Sequence, residues 1–242
     1  QGGIRAAALA KLGLTGPATI LEGPLGLRAM SDSYTPEVIT DRLGEKFVVA
    51  DIWTKKYSCN GMIHAPVDGI EAIRARRPFT AEDIERIDVG SNQHAVNEVG
   101  SIRLPKDMFG FQFSMNYALA LQVVKGSNDF DAYIEDNLCE PEIVALAERI
   151  FTETDDEVQG WFPETLGARV TIRFKDGSVE EELIRDCRGS PGNPMSALEL
   201  ETKARNIAGM SMGAEEFQKV IDAVRSPEAM SDARALGDLL RG

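Results

Sequence analysis

The strongest constraint on the fold is a paired strand pattern over residues 168–184. Residues 168–174 alternate apolar and polar side chains, and residues 178–184 alternate back after the sequence Lys175-Asp176-Gly177. Alternation with a period of two on either side of a glycine-containing turn is typical of a β-hairpin. The chain is therefore expected to contain at least one antiparallel strand pair.

Two more strands are predicted upstream of this hairpin. Residues 47–54 are rich in Val, Ile and aromatic side chains, and residues 84–89 form another apolar run. Between them, residues 60–76 carry apolar side chains at helical spacing, which gives a β-α-β unit. The expected fold class is α+β, a small mixed sheet with helices packed on it. Further helices are predicted over residues 36–43, 114–125 and 141–151.

Helical patterns occupy both ends of the chain. Residues 3–12 form an alanine-rich run that lacks a capping start, as though its N-terminal neighbours were missing. Near the other end, Ser196 is followed three residues later by Glu199, which predicts a capping box and a helix. Amphipathic helices are predicted over residues 214–224 and 231–240, and we expect them to pack on a helical body.

The charge of the chain limits its partners. A formal net charge of −13 over 242 residues argues against binding to nucleic acid or to an anionic membrane surface. A small anionic substrate remains compatible, because a few cations in a low-dielectric cleft can outweigh a distant acidic surface. The sequence lacks both the roughly 18 unbroken apolar residues of a membrane span and the pattern of a secretory signal, so a cytoplasmic protein is expected.

The cysteine and histidine content argues against a metal cofactor. Cys59, Cys139 and Cys187 lie far apart, and the two histidines add no recognisable ligand spacing, so neither a zinc site nor a disulfide framework is expected. The chain does not begin with methionine. Either it has been processed, or a larger molecule begins upstream.

The first candidate site runs from Lys55 to His64, between the predicted strand 47–54 and the helix after it. The end of a strand and the start of a helix gather free backbone N–H groups and the positive end of the helix dipole, which suits a carboxylate. Lys55 would add a cation and His64 a possible proton carrier. The alternative is a surface lysine pair with a histidine satisfied inside the helix.

Two further residues are candidates for the site, and each also has a purely structural explanation. Tyr117 lies on the first turn of a predicted helix, where its hydroxyl could face a cleft, although tyrosine usually buries its ring in the core. Arg188 begins a stiff loop and could reach an anion, but the pattern favours a simple turn into the capped helix.

Several ordered segments resemble the MmgE/PrpD family, whose members include 2-methylcitrate dehydratase, cis-aconitate decarboxylase and iminodisuccinate epimerase. The matching segments are spread over nearly the whole chain. They are Leu12-Gly13-Leu14-Thr15-Gly16; Leu21-Glu22-Gly23 with Gly26; residues 55–59 with His64, Ala65 and Asp68; Phe113-Ser114 with Tyr117-Ala118; Lys175-Asp176-Gly177; and Gly192-Asn193-Pro194 with Ser196 and Lys203.

The resemblance implies a division of the chain between two domains. The family combines a large all-helical domain with a smaller α+β lid, and the substrate binds between them. Residues 1–30 would end the helical domain, residues 31–195 would form the lid, and residues 196–242 would return to the helical domain. Most of the helical domain would then be absent from this chain, so its share of the site would come from elsewhere.

The resemblance also assigns roles to individual residues. Lys55 and Tyr117 match positions near the family's substrate, so with His64 they are the expected catalytic residues. Cys59, Asn60, Gln1 and Arg188 are the expected substrate-binding residues. Gln1 falls where some members have a lysine, and Asn60 falls where the decarboxylase has a histidine, which weakens decarboxylation as the specific reaction.

These observations lead to two hypotheses. In the first, the protein is a lyase that dehydrates a small di- or tricarboxylic acid by removing a proton next to a carboxylate, with epimerisation and decarboxylation as alternatives. The resemblance implies that neither a cofactor nor a metal is needed. It also implies a homodimer, or a complex with a chain that supplies the helical domain. In the second, the chain is a non-catalytic subunit or remnant that stabilises a partner through an exposed apolar face.

Overall fold

The structure is a computed structural model that describes residues 1–30 and 41–241. The chain divides into two compact units, residues 1–51 and residues 52–242. The predicted helix over residues 36–43 lies mostly outside the described residues.

Among its described residues, the smaller unit contains one α-helix and two short 3₁₀ turns. Helix α1 spans Gly2–Lys11, close to the predicted range, and buries none of its residues. The 3₁₀ turns span Leu27–Met30 and Val48–Asp51.

The predicted strand over residues 47–54 was wrong. Residues 48–51 form a 3₁₀ turn, and residues 52–54 are not in a strand. Phe47, Val48 and Val49 are about two-thirds exposed. A strand is stabilised by a hydrogen-bonded neighbour and a buried face, and the described part of residues 1–51 contains no strand that could pair with this segment. The predicted β-α-β unit is therefore absent.

The larger unit contains ten α-helices among its described residues. They are α2 (His64–Arg76), α3 (Gln93–Glu98), α4 (Met108–Phe113), α5 (Met115–Lys125), α6 (Glu135–Leu138), α7 (Pro141–Ala147), α8 (Asp156–Trp161), α9 (Ala197–Ala208), α10 (Ala214–Arg225) and α11 (Arg234–Leu239). The capping box at the start of α9 is confirmed, because the Ser196 amide donates to Oε2 of Glu199 at 2.8 Å and the Ser196 hydroxyl accepts from the Glu199 amide.

A four-stranded mixed sheet forms the centre of this unit. Its strands are β1 (Ile84–Ser91), β2 (Ile150–Thr154), β3 (Ala168–Phe174) and β4 (Val179–Ile184), in the order β2-β1-β3-β4. Strands β1 and β2 are parallel, and the other pairs are antiparallel. The expected α+β class and the hairpin are confirmed, but the fourth strand is β2, where the sequence predicted the end of a helix.

Helix α2 packs against the hairpin strands β3 and β4. It buries Val67, Ile70 and Ile73 completely, and each such aliphatic side chain contributes about 1.5–3 kcal/mol by leaving water. At Gly69 an added Cβ would lie 2.7 Å from Val170, so the helix approaches the sheet more closely than a larger residue allows. This packing fixes the N-terminal end of α2, where His64 lies.

Within the described residues, no helix combines the length and the apolar character needed to cross a membrane.

Candidate functional site

The loop formed by residues 54–60 leads into α2 and is held by three separate neighbours. The Thr54 amide donates to the Gly189 carbonyl at 2.8 Å, and the Ser58 amide donates to the Asn128 carbonyl at 2.9 Å. The Asn60 amide donates to the Gln112 carbonyl, also at 2.9 Å. Buried or half-buried backbone groups need such partners, so this loop has a defined shape although it is not part of the sheet.

Lys55 lies in a groove formed by this loop, α4 and α9. Its Nζ donates to the Cys59 carbonyl at 3.1 Å. The groove has a volume of about 310 Å³ and is lined, among the described residues, by Lys55, Tyr57, Ser58, Cys59, Gln112, Phe113, Lys203 and Ile207. Two of these residues are lysines and none is acidic, in a chain whose net charge is −13. The groove is thus a local positive region suited to an anion.

His64 is the first residue of α2 and is buried, with 2% of its surface exposed. Its ring meets the Tyr57 ring edge-on, with 5.2 Å between the ring centroids. Burial, helped by the Lys55 charge, lowers the pKa of His64 to about 4. Within the described residues, its Nε2 has no hydrogen-bond partner. At neutral pH the imidazole is therefore uncharged.

Asp68 lies one helical turn beyond His64 and connects three segments. Its Oδ2 accepts a 2.6 Å hydrogen bond from the Arg188 amide, and its Oδ1 lies 3.6 Å from the Lys56 ammonium. Because Lys56 pairs with this carboxylate, it does not contribute a free cation beside Lys55.

Asn60 caps the start of the helical segment. Its side-chain Oδ1 accepts from the Met62 amide at 2.9 Å, and its carbonyl accepts from the Ile63 amide at 3.0 Å. The amides expected to hold a carboxylate are thus occupied by Asn60 itself, and the strand expected before them is absent. The structure therefore corrects the predicted basis of this site: its positive potential comes from lysine side chains.

Cys59 contributes its backbone to the site. Its thiol is buried, with 3% of the residue exposed, and burial raises the thiol pKa to about 12. Its carbonyl oxygen is the acceptor for Lys55. The thiol stays protonated at neutral pH, so it is a poor nucleophile.

Arg188 uses its side chain to attach α9 to the neighbouring loop. Its Nε donates to Oε1 of Glu199 at 2.9 Å, a second nitrogen pairs with Oε2 of Glu199, and the third donates to Oδ1 of Asn193 at 2.7 Å. The guanidinium is therefore already paired with a carboxylate. This agrees with the alternative interpretation of the segment as a turn into the capped helix.

Tyr117 lies in the hydrophobic core, with 5% of its surface exposed. Its ring contacts Phe111 edge-on, with 5.7 Å between the ring centroids. Burial, and then the Glu148 charge, raises the pKa of Tyr117. Tyr117 does not line the groove that holds Lys55, so the structure does not bring these two predicted residues together. Gln1 belongs to the smaller unit, where it is exposed and precedes α1.

Lys203 is a site residue that belongs to the segments resembling the family but had no role assigned from the sequence. It lies on α9, and its Nζ donates to the Lys55 carbonyl and, at 3.1 Å, to the Lys56 carbonyl. Burial lowers the pKa of this ammonium. The family-like segment at residues 192–203 was the sequence signal for this lysine, but its contact with the loop at Lys55 is visible only in the folded chain.

Within residues 1–30 and 41–241, no cluster of three or more His, Cys, Asp or Glu side chains is placed to hold a metal ion.

Comparison with known proteins agrees with the family resemblance seen in the sequence. The family model of the MmgE/PrpD C-terminal domain matches residues 57–227. The chain is 26% identical to a cis-aconitate decarboxylase of Aspergillus terreus over 223 residues, which cover 86% of this chain and 44% of that protein. It is 24% identical to the cis-aconitate decarboxylase of Mus musculus over an alignment of 250 residues, which covers 99% of this chain and 50% of that protein.

The cis-aconitate decarboxylase of Homo sapiens is also 24% identical, over 248 residues that cover 99% of this chain and 50% of that protein. The chain therefore spans about half the length of the curated relatives it matches. Because the family model covers most of the chain, the protein belongs to the MmgE/PrpD family and contains its C-terminal domain.

Proposed function

We propose that the complete protein is a lyase acting on a small di- or tricarboxylic acid, and that the groove at Lys55 binds a substrate carboxylate. The observation that carries this proposal is the position of the Lys55 ammonium in a groove whose described lining contains no acidic residue. In a chain of net charge −13, such a groove attracts an anion more strongly than its surroundings do.

The chemistry would begin with removal of a proton from the carbon next to a carboxylate. Negative charge then develops on that carboxylate, and a fixed ammonium stabilises it more in the transition state than in the ground state. Lys55 would have this role. In a dehydration, the new carbon–carbon double bond forms as the hydroxyl group departs with a proton as water.

His64 would act as a neutral imidazole in this reaction. Its pKa of about 4 makes it a weak base at pH 7 but leaves one ring N–H and one acceptor nitrogen. An uncharged imidazole can relay a proton or donate a hydrogen bond without repelling Lys55. The base that removes the substrate proton would come from protein outside this chain, and Tyr117 enters this scheme only if its hydroxyl approaches the substrate in the complete assembly.

Two observations bear on which reaction takes place. The relatives named above are cis-aconitate decarboxylases, which favours including decarboxylation among the candidate reactions. Asn60, which resemblance places where the decarboxylase has a histidine, is occupied with capping the helical segment. We therefore keep dehydration as the first proposal, with decarboxylation and epimerisation as alternatives.

The partner of this chain belongs to the same proposal. Helix α1 exposes all of its residues, including Ile4 at 79% and Leu9 at 46%. Exposed apolar side chains of this kind mark interaction surfaces. They favour a homodimer or a complex that supplies the remaining helices, and they equally suit a non-catalytic subunit. The cytoplasmic location expected from composition is part of this proposal.

The test is a substrate panel applied to the complete assembly. Methylcitrate, cis-aconitate and iminodisuccinate analogues are incubated with the wild type, with Lys55→Met and with the control Lys175→Met, whose lysine lies in the exposed hairpin turn. We expect kcat/KM to fall about 100-fold or more for Lys55→Met and to stay unchanged for the control. Equal turnover by wild type and Lys55→Met on every active substrate would remove Lys55 from the mechanism.

Native mass measurement separates the two classes of function. An associated second chain together with turnover supports the enzyme. A stable lone chain that binds no carboxylate supports the non-catalytic subunit.

A further inference from the structure

Lys203 connects helix α9 to the backbone of the residue that the proposed function depends on. Its ammonium donates to the carbonyl of Lys55 and to that of Lys56, the next residue. We infer that Lys203 is a positioning residue: it fixes the backbone of Lys55, and through it the direction in which the Lys55 ammonium enters the groove.

Side chains of Lys56 and Tyr57 contact Asp68, but the backbone–backbone hydrogen bonds of the loop lie on either side of Lys55 and Lys56. Thr54, Ser58 and Asn60 donate their amides to neighbouring segments, so the loop is held just before Lys55 and again after Tyr57. Within the described residues, the Lys203 ammonium is the hydrogen-bond donor to the carbonyls of Lys55 and Lys56. Its removal would leave these two carbonyls without a donor.

The chemistry of the contact suits a lysine. An ammonium has three N–H donors, so after binding two carbonyls it keeps one for the groove that Lys203 also lines. A partly buried ammonium is stabilised by such carbonyl oxygens, which compensate for lost water. One side chain therefore holds the loop and adds a second positive charge beside Lys55.

Helix α9 is itself firmly placed, which makes it a suitable anchor. The capping-box residue Glu199, one turn before Lys203, is paired with Arg188. Arg188 in turn donates its backbone amide to Asp68 on α2. Lys203 thus extends from a helix that is fixed relative to α2.

Hydrogen exchange on the 242-residue chain tests the positioning role without any ligand. The measured amides are those of Thr54, Ser58 and Asn60, with the amides of β3 as an internal reference. We expect Lys203→Met, which keeps the chain length but loses charge and donors, to raise exchange at the three loop amides about tenfold or more while leaving β3 unchanged. Lys203→Arg keeps charge and donors and should restore most of the protection.

The matched control is Lys219→Met, which removes an exposed lysine from α10 and should change neither set of amides. Unchanged exchange at the loop amides in Lys203→Met would overturn the inference, and so would an equal rise at the loop and at β3, because that indicates general destabilisation. If Lys203→Met does not fold, Lys203→Gln replaces it with the same expected result and the same overturning outcomes.

The consequence for binding rests on the proposed function and is measured separately. The wild-type chain, Lys203→Met and Lys203→Arg are titrated with cis-aconitate and followed by chemical shifts. We expect about a tenfold or greater loss of affinity in Lys203→Met and partial recovery in Lys203→Arg. If the wild type binds no carboxylate, the proposed function of the groove fails, while the exchange experiment still decides the role of Lys203. If the wild type binds and Lys203→Met binds equally well, the inference is overturned.

Discussion

The Tyr57 hydroxyl donates a 2.6 Å hydrogen bond to Oδ1 of Asp68. The second oxygen of the same carboxylate accepts the Arg188 amide, so one side chain of α2 holds both the loop before the helix and the loop before α9. Burial, and then the Asp68 charge, raises the pKa of Tyr57, so the phenol is protonated and acts as a donor at neutral pH. The candidate site is therefore arranged around a structural carboxylate as well as around its lysines.

Replacement of Asp68 tests this arrangement. In Asp68→Asn one oxygen becomes an amide nitrogen, which cannot accept from either Tyr57 or Arg188, so a donor is left without its partner. We expect the free energy of unfolding to fall by about 2–3 kcal/mol, against about 1 kcal/mol for Tyr57→Phe, which removes a single hydrogen bond. Urea unfolding measures both values. The exposed Asp131→Asn is the control, and an equal loss in all three variants would contradict the proposed role of Asp68.

His64 makes stability depend on pH. The folded-state pKa is about 4 and the unfolded value 6.5, so between these values the unfolded chain binds more protons than the native one. The contribution of neutral His64 to the free energy of unfolding is therefore complete above about pH 6.5 and is lost as the pH falls towards 4. The loss is on the order of 3 kcal/mol.

Urea unfolding between pH 4 and 7.5 checks this expectation. Other groups titrate in this range, so the quantity of interest is the difference between wild type and His64→Gln, in which the neutral side chain has no such linkage. The stability of the wild type relative to His64→Gln should fall steadily as the pH decreases below 6.5. A difference that is independent of pH would mean that His64 titrates normally in the folded chain.

The three cysteines should differ in reactivity. Cys139 is exposed, whereas Cys59 and Cys187 are buried, and burial raises the pKa of each buried thiol to about 12. Since the thiolate is the reactive form, we expect one thiol to react quickly with a disulfide reagent at pH 8 and all three to react in denaturant. In Cys139→Ser the fast phase should disappear, and its persistence would show that a buried thiol is accessible.

Gly189 is expected to be essential for the shape of the loop at Lys55. It has a φ of 97°, and an added Cβ would overlap the Thr54 carbonyl oxygen. Gly177 has a φ of 84° but open space around its Cα, so Gly177→Ala carries the backbone strain alone.

We expect about 1 kcal/mol of destabilisation for Gly177→Ala and about 3 kcal/mol or more for Gly189→Ala, because the overlap adds to the strain. Urea unfolding gives the two values, and exchange at the Thr54 amide locates the change. If the two substitutions cost the same, the close approach of Gly189 to Thr54 does not exist in solution.

The sequence predicted most clearly the elements whose signals are local. The hairpin of β3 and β4, the helix that became α2 and the capping box of α9 each depend on residues within one or two turns of each other, so their patterns are legible without the fold. Strand β2 escaped prediction because five residues following a helix carry too short a pattern. The segment 47–54 was misread because high strand propensity produces a strand only where a neighbour can pair with it.

The sequence identified the candidate site through Lys55, whereas His64 is buried and is not among the described residues that line the groove. The composition of the site depends on long-range contacts. Sequence placed Arg188 and Tyr117 in the same group, whereas folding pairs Arg188 with Glu199 and buries Tyr117 against Phe111. Lys203 contacts the backbone of Lys55 although the two residues are 148 positions apart in the sequence. Local pattern thus determined the α+β class and the first lysine, and resemblance indicated the family. Tertiary structure alone decided which charges remain free in the groove, because that depends on which distant carboxylate or carbonyl each cation meets.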